Sequence, residues 1–285
     1  YDIFLRFSDH GIINAEVSVS DWKKGEDVEQ PVDASIYYDL STYGTSNCYH
    51  ISSANYGYCF DGTVKGNGNG ASVGITDASL DPAYVDILWA DIPEIEYNGE
   101  KRCPVVMASN TLVKGKVMFK VLGNSSDQNN TKLQSEGNVL LAAYDKVPER
   151  DSDGNITNGA NIIWTWHLWL SDPVQKHGYS NGFIVQDRNL GAVDAAPEGD
   201  YTNIWGMLYQ WGRPTPFRFS VTPDSQDNRA TMDEAVSHPD VLYGGYNGDG
   251  DQFWLSDPVL DSHIAGLWGY TSDYEDPVKT IYDPC

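Results

Sequence analysis

Two acidic turns carry the densest hard-oxygen chemistry in this 285-residue chain. Asp151-Ser-Asp-Gly-Asn155 and Asn247-Gly-Asp-Gly-Asp251 each crowd carboxylate and amide oxygens into one short turn. Calcium takes such donors at about 2.3–2.6 Å. Asn247, Asp249 and Asp251 form the stronger set, so calcium is the one metal the sequence suggests. Both runs lack the bidentate glutamate that closes a helix-loop-helix calcium loop, and a solvated acidic turn is the ordinary alternative for each. Aromatic stacking is the second chemistry. Trp169, Trp254 and Tyr246 are the aromatic candidates for holding a ligand such as a sugar, Trp169 because it falls on the mixed face of a strand. The alternative for these rings is plain core.

Covalent catalysis finds little support. The six histidines are scattered, with no G-x-S-x-G elbow and no phosphate-binding glycine loop between a strand and a helix. Carboxylate pairs are too frequent in so acidic a chain to mark a glycosidase. The chain is therefore expected not to be an enzyme. Asp187-Arg188-Asn189 reads as a structural ion pair or turn in preference to a binding triplet.

Charge narrows the partners. Lys+Arg 18 against Asp+Glu 41 gives a net charge of −23, which repels phosphate backbones, so nucleic acid is excluded as a partner. Hydrophobic residues make up 40% and aromatics 12%, too many for an acidic disordered chain. No apolar run reaches the length of a membrane-spanning helix. The chain opens on Tyr1 inside a strand-like run, so a processed or partial chain is expected.

The elements that position these groups are mostly strands. In Ile162–Leu170, alternation puts Ile162, Trp164, Trp166, Leu168 and Leu170 on an apolar face and Ile163, Thr165, His167 and Trp169 on a mixed one. Asp172-Pro173 stops the ladder. Short β-type runs at 48–52, 58–65, 83–90, 105–108, 111–122 and 139–144 alternate with turn residues, which predicts an antiparallel β-sandwich over 35–172. Gly66-Asn-Gly-Asn-Gly70 and the 151–159 segment are expected to be hairpin loops. Residues 1–34 read as the last strands of a preceding β-domain. Residues 173–285, rich in Pro, Gly, Asp, Tyr and Trp, read as a loop-rich α+β region of C-type-lectin-like texture with one short helix at 230–236.

Cys48 and Cys59 bracket a turn near Ser53 and Ala54, and a hairpin there would set them face to face. A disulfide would then add about 2–3 kcal/mol, while two buried thiols are the equal alternative. No C-x-x-C or zinc spacing is present.

Several runs carry a resemblance. Leu40-Ser-Thr-Tyr-Gly-Thr-Ser-Asn-Cys-Tyr49, Phe60-Asp-Gly-Thr-Val-Lys-Gly-Asn-Gly68, Gly137-Asn-Val-Leu-Leu-Ala-Ala-Tyr-Asp145, the Trp164–Asp172 strand, Gln186-Asp-Arg-Asn-Leu-Gly-Ala192, Leu208-Tyr-Gln-Trp-Gly-Arg213 and Tyr282-Asp-Pro-Cys285 follow one another from residue 40 to the end. Together they resemble the fimbrillin-like surface and pilus proteins of Bacteroidales. Ala15-Glu-Val-Ser-Val-Ser-Asp-Trp22 resembles the last strands of a fimbrillin domain. The resemblance implies a transthyretin- or Ig-like sandwich, a lipoprotein precursor and display on the outer membrane. It also implies assembly with other pilin subunits by strand exchange, and a lectin-like module of tip or accessory subunits. Such relatives continue past Asp-Pro-Cys, so the lectin-like region is expected to be incomplete at Cys285. The expected function is a fimbrial tip or accessory adhesin that binds a glycan or protein on host or neighbouring cells. A glycan-binding lipoprotein tethered to the outer membrane is the alternative.

Overall fold

A computed structural model describes residues 36–284, except 128, 181, 183, 197–200, 219–223, 227, 245–253, 258–259, 261–265 and 270–277. The β-domain expected over residues 1–34 lies outside the described residues. The described chain is mainly β with one short helix, and it forms no closed barrel.

In chain order the first ten strands are β1 (Tyr38–Asp39), β2 (Cys48–Ile51), β3 (Tyr56–Asp61), β4 (Tyr84–Asp91), β5 (Ile95–Tyr97), β6 (Glu100–Arg102), β7 (Val105–Val113), β8 (Lys116–Val121), β9 (Gly137–Tyr144) and β10 (Ile162–Leu170). Two four-stranded sheets hold most of them, in the orders β1-β3-β8-β7 and β2-β10-β9-β4. Each sheet contains one parallel pair, β1 with β3 and β2 with β10. The expected all-antiparallel arrangement is therefore corrected to two mixed sheets. The parallel pairs arise because β2 and β3, close in sequence, go to different sheets instead of forming a hairpin.

The inner faces of the two sheets share one core. The Phe60 ring on β3 stacks on Tyr49 of β2 at 4.5 Å and meets Trp166 of β10 edge-on at 5.2 Å. Along one side the sheets are tied by Asn110 on β7, whose amide donates to Val85 O on β4 at 2.9 Å. Strand β9 is buried at all eight positions, which explains its unbroken Val-Leu-Leu-Ala-Ala run: a strand covered on both faces has no use for alternation. Apolar alternation does hold in β10 from Trp164 to Leu170, but a bulge intervenes between Ile162 and Trp164. Ile162 consequently joins Ala142 and Tyr144 in a small separate cluster, and Ile163 packs on the main core, the reverse of the simple period-2 assignment.

Turn chemistry sets two further corrections. The run at 111–122 is not one strand, because Lys114 (φ 52°) and Gly115 (φ 79°) make a left-handed two-residue turn between β7 and β8. The 151–159 segment does join antiparallel neighbours, β9 and β10. Gly66–Gly70 lies within a loop closed only by the single antiparallel bridge Val64–Ser79, and it joins no two strands of one sheet, since β3 and β4 belong to different sheets. A Cβ on Gly66 (φ 49°) would lie 2.2 Å from Ile281 O, so that loop is shaped to receive a segment from near the end of the chain. Asn67 and Asn69 both donate to Lys279 O, and the Asn47 amide donates to Ile281 O at 2.7 Å and Asp283 O at 2.8 Å. Asn47 Oδ1 accepts from the Trp164 indole at 2.9 Å, and Tyr282 lies over Trp164. The 279–283 segment is thus a strap across one end of the core.

The remaining elements are short: β11 (Lys176–Gly178), β12 (Ile184–Gln186), β13 (Leu208–Tyr209), β14 (Pro216–Phe217), β15 (Asp224–Gln226), the helix α1 (Met232–Ser237) and β16 (Val241–Tyr243). Thr231 caps α1, its hydroxyl accepting from Glu234 N. Met232, Ala235 and Val236 of α1 and Trp254, Leu255, Leu260 and Leu267 belong to the same core as Phe60, Trp166 and Leu168. The boundary expected at 172/173 is therefore no break in the packing.

Candidate functional site

The mixed face of β10 does not meet solvent. Gly191, Ala192, Tyr209 and Thr215 lie over it and convert its polar groups into a buried interface. Trp169 is 1% exposed, with its indole N–H on Ala192 O at 3.0 Å and its ring edge-on to His50. Thr165 pairs with Thr215 at 2.7 Å. His167 is sealed between Asn138 and Tyr209. Its Nε2–H donates to Asn138 Oδ1 at 2.8 Å, Nδ1 accepts the Tyr209 hydroxyl at 3.3 Å, and the Asn138 amide donates to Gly191 O. One neutral tautomer satisfies every partner, and burial pushes its pKa down to about 3.

Arg213 is the second buried polar centre, 1% exposed. Its guanidinium donates to Val241 O and Ala235 O, each at 2.6 Å, to His238 O at 3.3 Å and to Gln210 Oε1 at 3.2 Å. Phe217, Tyr243 and Trp254 surround the charge at 4.8–5.9 Å from ring centres. Carbonyls at the end of α1, the aromatic faces and the nearby Asp240 carboxylate offset the buried cation. Burial lowers its pKa to about 10, so it stays charged at neutral pH.

Next to this centre lies an aromatic cluster in which Trp211 is exposed and Tyr209 and Trp268 are half-buried. Trp211 is 43% exposed, and its ring centre lies 4.6 Å from that of Trp268 at an angle of 50°. Tyr209 meets Trp268 edge-on at 6.2 Å. The mount is made of backbone and buried side chains: Trp254 donates to Trp211 O at 2.6 Å and Trp268 donates to Arg213 O at 3.3 Å. Gly212 (φ 88°) permits the approach, because a Cβ there would fall 2.4 Å from Leu267. Tyr209 continues downward into the His167 network, so the cluster is anchored to the sheet below.

These positions relocate the sequence expectations. Trp169 and Trp254 (2% exposed) are corrected from ligand platforms to buried supports, because the loop region covers the one and Arg213 and Trp211 enclose the other. Tyr246, Asn247, Asp249 and Asp251 lie outside the described residues. In the first acidic turn, Asp151 accepts from the backbone of Asp153 and Asn155 and from the Asn155 amide, so its carboxylate closes its own loop. Among the described residues no group of three His, Cys, Asp or Glu side chains is placed to hold a metal. The Cys48–Cys59 bridge is corrected as well: the two residues sit on β2 and β3 in different sheets, and Cys59 is a free, buried thiol. Asp187 and Arg188 form the expected ion pair, at 3.0 Å and half-buried.

The Trp211–Trp268 pair was missed in the sequence. Trp211 stands inside a run already notable for its aromatics, but its partner is 57 positions away in a Gly-Leu-Trp-Gly stretch without periodicity. A cleft of about 560 Å³ opens between β10 and α1, lined by Lys65, Asp81, Asp145, Asn161, Asp233 and Glu234. No protein-family model, curated protein or solved structure matches the chain.

Proposed function

We propose that this protein is a non-catalytic cell-surface adhesin, a fimbrial tip or accessory subunit built on a transthyretin- or Ig-like β-sandwich with a loop-rich, lectin-like region. One observation carries the reading: an exposed Trp211 ring packed on the half-buried Trp268 and held on a mount of part-buried polar bonds. Exposed aromatics cost solvation, and a rigid support makes them a binding surface that loses little entropy on contact. The fimbrillin-like motifs supply the setting, a surface subunit that joins other pilins by strand exchange. His167, the most strongly perturbed histidine, is enclosed by Tyr209 and Asn138, which supports a structural and not a catalytic role.

Immunogold electron microscopy on intact source cells, with antibody against residues 36–285, tests the proposal. Gold on filaments or at their tips is the expected result. Gold spread over the outer membrane without filaments sinks it and favours the second reading, a tethered glycan-binding lipoprotein, which the same aromatic pair supports.

A further inference from the structure

We infer that the Trp211–Trp268 pair is a stacking site for a neutral pyranose sugar, working without a metal ion. The inference rests on the adhesin reading and names the ligand of its site.

The geometry favours a flat, partly apolar ligand. Two indole rings 4.6 Å apart and inclined by 50° make a shallow corner. A ring carrying one face of C–H groups stacks on one indole while its edge meets the other, and its hydroxyls stay in water. That match of an apolar face to an aromatic plane, with hydroxyls around the rim, is the general form of a specific small-ligand site. Trp211, Trp268 and Tyr209 give the corner two walls and an edge. The backbone on both sides is fixed by the Trp254 and Trp268 N–H bonds and by the Gly212 approach to Leu267, so the corner exists before any ligand arrives.

Charge selects among sugars. A chain of net charge −23 repels sulfated, sialylated and uronic glycans, and the cation nearest the corner in sequence, Arg213, is buried and committed to carbonyl oxygens. A neutral pyranose carries neither penalty. A protein ligand would need a larger contact than two indoles supply, since stable protein interfaces bury on the order of 800 Å² per partner.

Affinity electrophoresis of the full chain through gels containing neutral polysaccharides (β-glucan, mannan, galactan, xylan) or anionic ones (alginate, dextran sulfate), with EDTA present, tests this. Retardation by at least one neutral polysaccharide is expected, with none by the anionic pair. Trp211→Ala should weaken it about tenfold or more, as for an aromatic hot spot. Trp205→Ala, another exposed tryptophan outside the pair, should leave it unchanged. Retardation that survives Trp211→Ala, retardation seen only when EDTA is left out, or retardation by the anionic polymers alone overturns the inference. If Trp211→Ala misfolds by circular dichroism, Trp211→Phe with acrylamide quenching replaces it. Protection of tryptophan fluorescence by the neutral polysaccharide in wild type, reduced in Trp211→Phe, is then expected, and equal protection overturns it. Cell adhesion that persists after periodate treatment of the target surface and disappears after protease treatment assigns a protein ligand and also overturns it. Any of these failures alongside gold on filaments removes the sugar and leaves the adhesin; gold absent from filaments removes the adhesin alone.

Discussion

The two-sheet part of the molecule and the loop-rich part satisfy their backbones by different means. In residues 36–172, strands β3, β4, β7, β8, β9 and β10 pair their own N–H and C=O groups, so the side chains between the sheets are free to be apolar. In residues 173–284 no described strand exceeds three residues, and the carbonyls left over are met by side chains. Arg213 reaches three of them, and the indoles of Trp254, Trp268 and Trp169 take one each. Where ladders are short, arginine and tryptophan serve as backbone partners and core at once. The lesson is that the aromatic richness of the second part answers a hydrogen-bonding need as much as a hydrophobic one.

The sharpest way to break that comparison is to remove the arginine. Arg213→Met takes the guanidinium donor from the buried carbonyls of Ala235 and Val241 and from the part-buried Gln210 side chain, and strips one of two bonds from His238 O; each lost buried bond costs about 1–3 kcal/mol. The expected total is about 4–5 kcal/mol, at the upper end for a single substitution. Leu141→Ala in β9, a pure packing loss, is expected to cost about 3 kcal/mol. Urea denaturation of both variants checks the ranking; a smaller loss for Arg213→Met would refute the idea that its bonds outweigh packing. Arg213→Lys should recover little, because an ammonium does not span the carbonyls that the guanidinium fork reaches.

Acid probes the interface between the two parts. His167 in the folded chain has its pKa lowered to about 3, below the ordinary 6.5, so the unfolded chain takes up a proton first as pH falls. The stabilisation is complete above about pH 6.5 and declines toward pH 3 by about 1.4 kcal/mol per unit. His50, whose pKa burial also lowers, acts in the same direction. Denaturation midpoints measured from pH 7 to pH 4 should fall less steeply in His167→Gln than in wild type; parallel curves would remove His167 as the sensor.

A pair of conservative changes sharpens the contrast further. Trp169→Phe deletes a bond to Ala192 O and should cost about 1–2 kcal/mol. Trp166 Nε1, buried between the sheets, has no hydrogen-bond partner, so Trp166→Phe relieves an unmet donor while losing some ring volume. Its net effect should lie within about 1 kcal/mol of zero. Thermal melts of the two proteins decide; an equal loss would mean that the indole N–H groups contribute nothing to the difference between the regions.

Much of the two-sheet part was legible in the sequence, because a strand's period survives in a single run of residues. The dense Ile162–Leu170 strand, the β9 run and the short helix near 232 were all readable. What alternation does not encode is which face meets water. Trp169 sits on the polar side of β10, and nothing local records that the segment around Ala192 comes back to cover it. The parallel pairing of β2 with β10 joins residues more than a hundred positions apart, beyond the reach of any turn signal. Lys114-Gly115 hid a hairpin because lysine is an unusual occupant of a left-handed position. Lys114→Asn, the smallest change expected here, should raise stability by about 0.5 kcal/mol, as a shift in the melting midpoint of the full chain.

The 279–283 strap also has a meaning in time. A ribosome delivers Asn47 and Trp164 long before Ile281, so the growing polypeptide carries an open seam over Trp164 until more than a hundred further residues have been made. A product cut short before Thr280 leaves the Asn47 amide without its two acceptors and the Trp164 ring without the cover of Tyr282. Such a fragment uncovers an aromatic surface that a chain carrying the strap keeps covered. The strap thereby makes the cover of an early-made surface depend on a segment made much later.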